Sequence, residues 1–405
     1  MTYIIKSFIL HILLTFFIFI QINSVILNEE LTIYYDSLDL NIYIGSYTKE
    51  ELFDLSLTSD LFWVSTSLYT AEKDNESISH GEEFIIINHQ NIKAELLESP
   101  VHLIKENITI PSFPLYYTID YVDSAFDTIP LAHRFNNESF SFVHRLYKLK
   151  LIPELKFAFT FLNRYTDLDP EVDDEGIISF GGIPKEVSSK LKYVQTFNVD
   201  PDHKYWVMKL ENAVLKINEN NVIKKYEFEN KQHAYLNSVN ENILAPYSYF
   251  KYLNQTIFNN YYENKSCWYE EEEGISCFCE SMPDIKEFIL VIEGVAFVLN
   301  KTEIVEEIRN ECFFKVNVNE DNREMWSIGI NLYQKYAVEF DYSKHNVKLY
   351  SKTPFQYFKY AKTKYYKAKT TLLLIGNVLS LIGFIMLSYA NYKTGKTMYR
   401  DIYSE

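Results

Sequence analysis

The stretch from Phe53 to Val64 constrains the fold of this chain most, because it predicts a strand, a short polar turn and a second strand within a few residues. Apolar residues lead into the turn and return in Leu61-Phe62-Trp63-Val64. The turn itself, Ser56-Leu57-Thr58-Ser59-Asp60, is rich in residues whose side chains hydrogen-bond to the backbone of turns. This pattern is typical of a β-hairpin.

The rest of the chain is also rich in strand patterns. Few stretches have the period of a long amphipathic helix, whereas apolar or alternating runs occur at residues 31–35, 40–44, 84–87 and 101–104. The 405 residues include only 11 glycines, so several turns have to use Asn, Asp and Ser. A chain that is 47% hydrophobic and 23% charged should form a packed core, and its length allows two domains.

A second polar turn follows an apolar strand in Tyr235–Pro246, where Asn237-Ser238-Val239 takes the place of Ser56-Leu57-Thr58. Ser56 and Asn237 are 181 residues apart. Both turns resemble the active-site hairpins of pepsin-like aspartic proteases (peptidase A1), in which Asp-[Ser/Thr]-Gly follows an apolar strand. The separation is also close to the one found in that family.

Other segments resemble further parts of the same family. They are the opening strand in Asn41–Gly45, a strand ending in Gly-Gly in Glu175–Pro184, the start of the second lobe from Tyr205, and the closing segment Trp326–Asp341. The resemblance implies an all-β, bilobal, double β-barrel fold with a central cleft. The first lobe is expected at 31–190 and the second at 191–351.

The resemblance places Ser56 and Asn237 where that family has its two catalytic aspartates. Those aspartates share one proton, so that the pair activates a water and protonates the substrate carbonyl. Neither a serine hydroxyl nor an asparagine amide can act as a general base at accessible pH, and losing such a base costs about 10²–10⁴ in rate. We therefore expect a catalytically degenerate member of the family.

Three acidic residues near the turns could replace the missing aspartates if the backbone were shifted: Asp54, Asp60 and Glu241. The family's flap carries Tyr followed by Gly, and Asn88 and His89 occupy that place in this chain. Both differences indicate a site that has diverged from a working protease.

Four cysteines allow three disulfide pairings. The resemblance implies a disulfide between Cys279 and Cys312, because the second lobe of the family has one in that place, and this leaves Cys267 to pair with Cys277. Zinc binding by Cys277 and Cys279 is the alternative, but the spacing is poor and no histidine is close in sequence.

Hydrophobic segments lie at both ends of the chain. Residues 1–24 have the pattern of a secretory signal peptide, with an uncleaved anchor as the alternative. Residues 371–390 carry no charge over the length that a bilayer core requires, after a basic stalk at 352–370 and before a tail at 391–405. We expect a single-pass, type I membrane protein.

The six N-x-[ST] sequons all lie between these hydrophobic segments, which favours a glycosylated body in the lumen or outside the cell. Their asparagines are Asn75, Asn107, Asn137, Asn254, Asn264 and Asn300. In the tail, Tyr399 and Ile402 have the spacing of a tyrosine-based sorting signal. The expected location is the secretory pathway, in endosomal or lysosomal membranes or the plasma membrane.

Several other classes of function are disfavoured. A net charge of −16 argues against nucleic-acid binding. The chain has no Gly-x-Ser-x-Gly elbow, no P-loop and no His-Glu-x-x-His motif. The histidines lack metal-ligand spacing, and His133 and His144 are expected at the surface. We expect neither a metal nor a cofactor.

A protease framework that lacks both acids predicts a membrane-anchored pseudoprotease. It would bind an extended peptide or a protein partner in the cleft between the lobes without hydrolysing it. Two alternatives stay open. One is an active aspartic endopeptidase that uses a displaced carboxylate, and the other is a structural surface glycoprotein whose cleft binds nothing.

Overall fold

The computed structural model describes residues 25–34, 37–46, 51–65, 74–87, 90–118, 127–161, 176–219, 221–228, 232–239, 242–264, 266–270, 274–319 and 324–351. The predicted signal peptide, the flap residues Asn88 and His89, Glu241 and the whole chain after 351 lie outside these ranges, including the hydrophobic segment 371–390 and the sorting motif. In the described ranges, no helix combines the length and the apolar character needed to cross a bilayer.

The first half of the described chain forms ten strands. They are β1 (Leu27–Tyr34), β2 (Ser37–Ile44), β3 (Glu51–Ser56), β4 (Trp63–Ser65), β5 (Ile78–Ile87), β6 (Gln90–Leu103), β7 (Ile108–Thr118), β8 (Thr128–Pro130), β9 (Lys156–Phe161) and β10 (Gly176–Phe180).

The second half forms fifteen. They are β11 (Lys192–Asn198), β12 (Val207–Glu219), β13 (Val222–Phe228), β14 (Gln232–Leu236), β15 (Ile243–Ala245), β16 (Cys267–Glu270), β17 (Gly274–Phe278), β18 (Ile285–Ile292), β19 (Val295–Asn300), β20 (Val305–Ile308), β21 (Glu311–Phe314), β22 (Val316–Val318), β23 (Trp326–Ile328), β24 (Tyr336–Asp341) and β25 (Asn346–Ser351).

The described helices are short, as the sequence predicts. The α-helices are α1 (Phe142–Lys148), α2 (Lys185–Ser188), α3 (Tyr247–Leu253), α4 (Asn259–Glu263), α5 (Lys301–Ile304) and α6 (Asn331–Lys335), with a 3₁₀ turn at Glu138–Phe140 and a π-helical turn at Asn254–Phe258. The expectation of an all-β class is therefore met by a chain that is mostly strand.

The described strands form three sheets. The largest has thirteen strands in the order β11-β25-β24-β9-β10-β1-β2-β3-β8-β4-β7-β6-β5. A second sheet has the order β19-β18-β12-β14-β23-β15-β22, with β13 paired to β12, and a third has the order β16-β17-β21-β20. Strands β11, β24 and β25 thus come from the second half of the chain and extend the sheet of the first half.

The two most buried strands of the largest sheet, β9 and β24, contribute aromatic residues to the core. β9 and β24 are buried along their whole length, because they lie between other strands and are covered on both faces. Phe157 on β9 stacks on Phe340 on β24 with ring centroids 4.5 Å apart. Trp206 packs against the same Phe340, and its Nε1 donates to the backbone carbonyl of Leu131 at 2.8 Å. The core therefore joins segments from both halves.

A four-strand unit surrounds the end of β3. β3 pairs in parallel with β8, β8 is antiparallel to β4, and β4 is parallel to β7. Ser56 lies opposite Pro130 at the end of β3, and Trp63, seven residues later, lies opposite Thr128. The chain leaves the sheet at Ser56, turns, and returns at Trp63 on the other side of β8.

The second lobe repeats this unit with β14, β23, β15 and β22. Leu236 lies opposite Ile328, and the next N–H, that of Asn237, donates to the Ile328 carbonyl at 2.9 Å. Leu244, again seven residues after the turn position, lies opposite Ser327. Ser56 and Asn237 are therefore equivalent positions of an internal structural repeat.

Two disulfides hold the third sheet. Cys267 bonds to Cys277, its cross-strand neighbour, and Cys279 bonds to Cys312, which is the pairing that the sequence analysis predicts. Closing loops of 10 and 33 residues stabilises the fold by about 3 kcal/mol each on the chain-entropy estimate. Both sulfurs of the Cys279, Glu307 and Cys312 group are thus engaged with each other and do not offer ligands to a metal.

Candidate active site

The first turn begins at Ser56, whose buried hydroxyl is committed to that turn. Ser56 Oγ accepts a hydrogen bond from the N–H of Ser59 at 3.0 Å and lies 3.2 Å from Thr58 Oγ1. The backbone carbonyl of Ser56 accepts from the N–H of Leu131, at 2.8 Å, and so ties the turn to the chain after β8. Ser56 therefore acts as a local turn residue of the kind expected for serine.

The second turn is closed in a similar way by Asn237. Its Oδ1 accepts from the N–H of Val239 at 3.0 Å, which is an Asx turn. The side chain is half-buried, and its neighbours in the turn are Ser238 and Val239. An amide in this position can offer hydrogen bonds but no proton-accepting base near neutral pH.

Ser238 joins the second turn to the first. Its buried Oγ accepts from the N–H of Leu57 at 3.0 Å and donates to the carbonyl of Leu55. Its own carbonyl accepts from the N–H of Leu38 at 2.9 Å. The equivalent residue of the first turn is Leu57, which is buried in the core. Leu57 has no hydroxyl, so it cannot return the side-chain hydrogen bonds that Ser238 makes to the first turn.

Asp60, the first candidate for a displaced acid, is paired with other groups in the structure. Asp60 Oδ1 lies 2.7 Å from Lys204 Nζ, and Oδ2 accepts from Asn136 Nδ2 at 3.1 Å. The carboxylate is 7% exposed, whereas the lysine is 45% exposed. Both oxygens of Asp60 thus connect the first turn with other segments, one of them the turn between β11 and β12 that carries Lys204.

Asp54, the second candidate acid, is buried inside the sheet. It lies directly opposite Asp39 in the β2–β3 pair, and Ser37 Oγ donates to Asp39 Oδ1 at 2.9 Å. Burial raises the pKa of Asp39 and that of Asp54, and the proximity of the Asp54 carboxyl raises the pKa of Asp39 further. Two carboxyls so close together in a dry site hold a proton at neutral pH.

This carboxyl pair differs from a catalytic pair in its access to ligand. Asp54 precedes Ser56 by two residues and so lies on the same face of β3, but the carboxyls of Asp39 and Asp54 are both buried. Asp54 was predicted from the sequence as a candidate acid, but its partner Asp39 was not. A charged residue between Leu38 and Leu40 in a strand pattern was the available signal. Glu241, the third candidate acid, lies outside the described residues.

The region under the β5–β6 hairpin, where the flap is expected, is filled with apolar side chains. The buried members of this cluster are Trp63, Ile85, Ile87, Ile92, Ala94, Tyr116 and Phe140. Tyr116 and Phe140 are stacked with centroids 5.1 Å apart. Residues 88–89, where the hairpin turns, lie outside the described ranges.

The expectation that His133 lies at the surface is wrong. His133 is buried, with Nδ1 3.2 Å from the carbonyl of His203 and Nε2 2.9 Å from Nδ1 of His345. Burial lowers the pKa of His133 to about 4. His144 is half-buried and lies 2.7 Å from Ser141 Oγ. His133 thus joins the first lobe to two segments of the second, one at His203 and one at His345.

The comparison with known proteins agrees with this geometry. The family model of eukaryotic aspartyl proteases matches residues 125–352, more than half of the chain, including the second turn but not the first. The crystal structure of an aspartic proteinase from Irpex lacteus aligns with a TM-score of 0.60 at 11% identity, covering 83% of this chain and 99% of that one. No curated protein matches the sequence. The chain has a pepsin-like fold and belongs to the eukaryotic aspartyl protease family.

Proposed function

We propose that this protein is a pseudoprotease that binds an extended peptide or a protein segment without hydrolysing it. The observation that carries the proposal is the hydrogen bonding at the two equivalent turn positions. Ser56 and Asn237 both use their side chains to close their own turns, and neither is a carboxylate. Peptide hydrolysis in this family needs two carboxylates that share a proton at these positions.

The alternative of an active enzyme with a displaced acid has less support. Asp60 has both oxygens engaged by Lys204 and Asn136. Asp54 faces Asp39 inside the sheet, where a substrate has no access. A catalytic group has to come within hydrogen-bond reach of the reacting atoms, and either acid would need its present contacts broken first.

The alternative of a closed, structural glycoprotein has one observation in its favour. The apolar cluster under the β5–β6 hairpin occupies space in which a ligand side chain could otherwise be buried. Binding along the cleft would therefore rely on backbone contacts with an extended segment more than on deep pockets.

The proposal includes a membrane-tethered, glycosylated body in the secretory pathway. Five of the six sequon asparagines are exposed, namely Asn75, Asn107, Asn137, Asn264 and Asn300. Asn254 is half-buried and its Oδ1 accepts from the hydroxyl of Tyr262 at 2.9 Å, so it is the least suitable acceptor. The two disulfides are consistent with an oxidising compartment.

Hydrolysis is tested with the purified full-length protein and an internally quenched peptide library between about pH 3 and pH 6, where aspartic proteases are active. We expect cleavage no faster than in buffer alone. Cleavage by the wild type that is abolished by Asp54→Ala or by Asp60→Ala would establish the active-enzyme alternative and overturn the proposal.

Binding is tested with the same protein, immobilised and exposed to a mixture of random decapeptides. We expect retained peptides and a loss of retention in Val239→Arg, which adds a bulky cation to the second turn. Val222→Arg, at an exposed position on β13, is the matched control and should retain peptides like the wild type. Equal and negligible retention by all three proteins would favour the closed glycoprotein.

The membrane tether is tested separately in cells. Extraction of membranes at alkaline pH should leave the full-length protein in the pellet, and removal of N-linked glycans should lower its apparent mass. Release of the protein into the soluble fraction would contradict the tether without affecting the argument about the two turns.

A further inference from the structure

The end of the largest sheet exposes an apolar strand. β5 is the last strand in the order of that sheet, and among the described strands it pairs with β6 alone. Phe84 is 73% exposed and Ile86 is 67% exposed, the highest values among large apolar side chains in the described residues. Natural proteins rarely leave such an edge unprotected, because it can pair with another strand.

Two other described edge strands, β13 and β11, carry charged residues. β13 also exposes two apolar side chains, Val222 and Ile223, and pairs with β12 alone, but Lys224 and Lys225 follow directly in the strand. β11, at the opposite end of the largest sheet, begins with Lys192. In β5 the run Phe84–Ile87 is twice as long as that apolar pair and carries neither a charge nor a proline, although Glu82 and Glu83 precede it directly.

Several polar and charged groups near this edge are engaged within the hairpin, and Glu83, next to Phe84, is exposed. Glu82 lies 2.6 Å from Lys93 across the β5–β6 pair, and His80 lies 3.7 Å from Glu98. Ser79 Oγ donates to Glu95. The apolar feature that remains to be covered is the uncharged run Phe84–Ile87. An apolar, uncharged strand fits it best.

We propose that this strand pairs with the same strand of a second copy of the chain, in antiparallel orientation and centred on Ile85. Phe84 then lies opposite Ile86 of the second copy, and Ile86 opposite Phe84. Aromatic and β-branched residues form favourable cross-strand pairs. The interface is isologous, as in most two-fold symmetric dimers, since each copy contributes the same residues.

The register centred on Ile85 also keeps like charges apart. Glu83 lies opposite Ile87 of the second copy, and Glu82 falls outside the paired segment, so no glutamate faces a glutamate. Side-chain faces are preserved too, because Phe84 and Ile86 share the outer face of the hairpin while Ile85 and Ile87 are buried in their own lobe. The run Phe84–Ile87 is thus complementary to itself.

The strength of this pairing follows from its size. Two short strands bury much less surface than the roughly 1,200–2,000 Å² of a standard protein interface. We therefore expect a weak, concentration-dependent dimer. If the chain is tethered to a membrane as proposed above, confinement raises the effective concentration of one copy near another and favours the dimer. The pairing does not depend on whether the turns bind peptide.

Sedimentation of the full-length protein in detergent, between about 1 and 100 µM, measures the association. We expect a dimer whose fraction rises with concentration. Phe84→Lys and Ile86→Lys should each weaken association by at least about tenfold, because they place charge in the apolar pairs. Ile223→Lys, on the edge of β13, is the matched control and should associate like the wild type.

Cysteine cross-linking tests the register. In the proposed arrangement Phe84→Cys of one copy faces Ile86→Cys of another at a distance that permits a disulfide, whereas two copies of either variant place their cysteines on a diagonal. An equimolar mixture of the two variants should therefore cross-link more than either variant alone. Equal cross-linking in all three samples would overturn the register.

A protein that stays monomeric over the whole range and gives no cross-link above the Val222→Cys control overturns self-pairing. The edge of β5 would then be expected to pair with an extended strand of another protein. A dimer that is unaffected by both lysine substitutions would also overturn the proposal, because it would have to form through another surface.

Discussion

Ser238 Oγ lies 3.0 Å from the backbone nitrogen of Leu57 and accepts its hydrogen bond, across 181 residues of sequence. The same hydroxyl donates to the carbonyl of Leu55, so one side chain satisfies two backbone groups of the other lobe. The two turns are joined through this residue.

Ser238→Ala should therefore destabilise the fold. The variant leaves the N–H of Leu57 and the carbonyl of Leu55 unsatisfied in a fully buried place, which costs about 1–3 kcal/mol. Urea unfolding measures the loss. Ser238→Thr keeps the hydroxyl and should retain most of the stability. A Ser238→Ala variant as stable as the wild type would show that water or a backbone shift replaces these bonds.

Asp54→Asn should reduce the dependence of stability on pH. The raised pKa values of Asp39 and Asp54 mean that the folded chain holds a proton that the unfolded chain loses above about pH 4. Stability from this pair is therefore highest in acid and falls as the pH rises. The variant removes one carboxyl, so the drop in Tm between pH 5 and pH 8 should be smaller than in the wild type. Each kcal/mol of unfolding free energy that no longer depends on pH should reduce this drop by about 2–4 °C.

The control for that experiment is Asp202→Asn, at an exposed position in the turn between β11 and β12. It should reproduce the wild-type difference in Tm between the two pH values. A parallel shift of Asp54→Asn at both pH values, with an unchanged difference, would contradict a shared proton.

His133→Gln should alter the pH dependence in the opposite direction. The folded state keeps His133 neutral down to a pKa of about 4, whereas an unfolded histidine takes up a proton near pH 6.5. Stability from His133 is thus present above pH 6.5 and is lost as the pH falls toward 4. The variant should lose less stability than the wild type between pH 7 and pH 5, as followed by circular dichroism.

Several groups contact or act on His133, so the control variant is a histidine that lacks these neighbours. His345, the His203 carbonyl and Trp206 contact its ring, and the nearby charges of Arg134 and Asp200 act on it in opposite directions. His80→Gln changes an exposed histidine beside Glu98 on the β5–β6 hairpin and should follow the wild-type profile. Identical slopes for His133→Gln and the wild type would exclude His133 as the source.

Gly45→Ala should be strongly destabilising. Gly45 has φ of +63°, and a Cβ there would lie 1.7 Å from Asp74 Oδ2. Asp74 accepts hydrogen bonds from the N–H and hydroxyl of Ser46 and from Ser99 Oγ, so it cannot move without losing them. We expect a loss of more than about 2 kcal/mol in urea unfolding.

Gly294→Ala is the matched control for that variant. Gly294 also has positive φ, at +80°, but a Cβ added there would have no atom within 4 Å, so only backbone strain is introduced. The difference between the two variants measures the clash with Asp74. Equal losses would mean that the backbone conformation alone requires glycine at Gly45.

The parts of the fold that the sequence could predict are those specified by neighbouring residues. The turns at Ser56 and Asn237 follow apolar strands within a few residues, and their equivalence is visible in both the sequence pattern and the internal repeat of the sheets. The disulfides were also predictable, because a family resemblance reduced three pairings to one.

The parts that could not be predicted depend on contacts between distant segments. Asp39 meets Asp54 only because β2 and β3 pair in one register, and a shift of one residue would turn the carboxyls to opposite faces. His133 and His345 are 212 residues apart and meet at the junction of the lobes. No local pattern distinguishes a histidine buried in this way from one at the surface.

The place of β24 beside β9 has a consequence for the synthesis of the protein. β9 is wholly buried in the finished fold, where it pairs with β24. β24 follows β9 by roughly 180 residues in the sequence, and a ribosome takes on the order of 10–40 s to add them. During that interval the apolar edge of β9 lacks its partner. Nascent chains that end before residue 336 should therefore depend on chaperones, and their release should coincide with the emergence of β24.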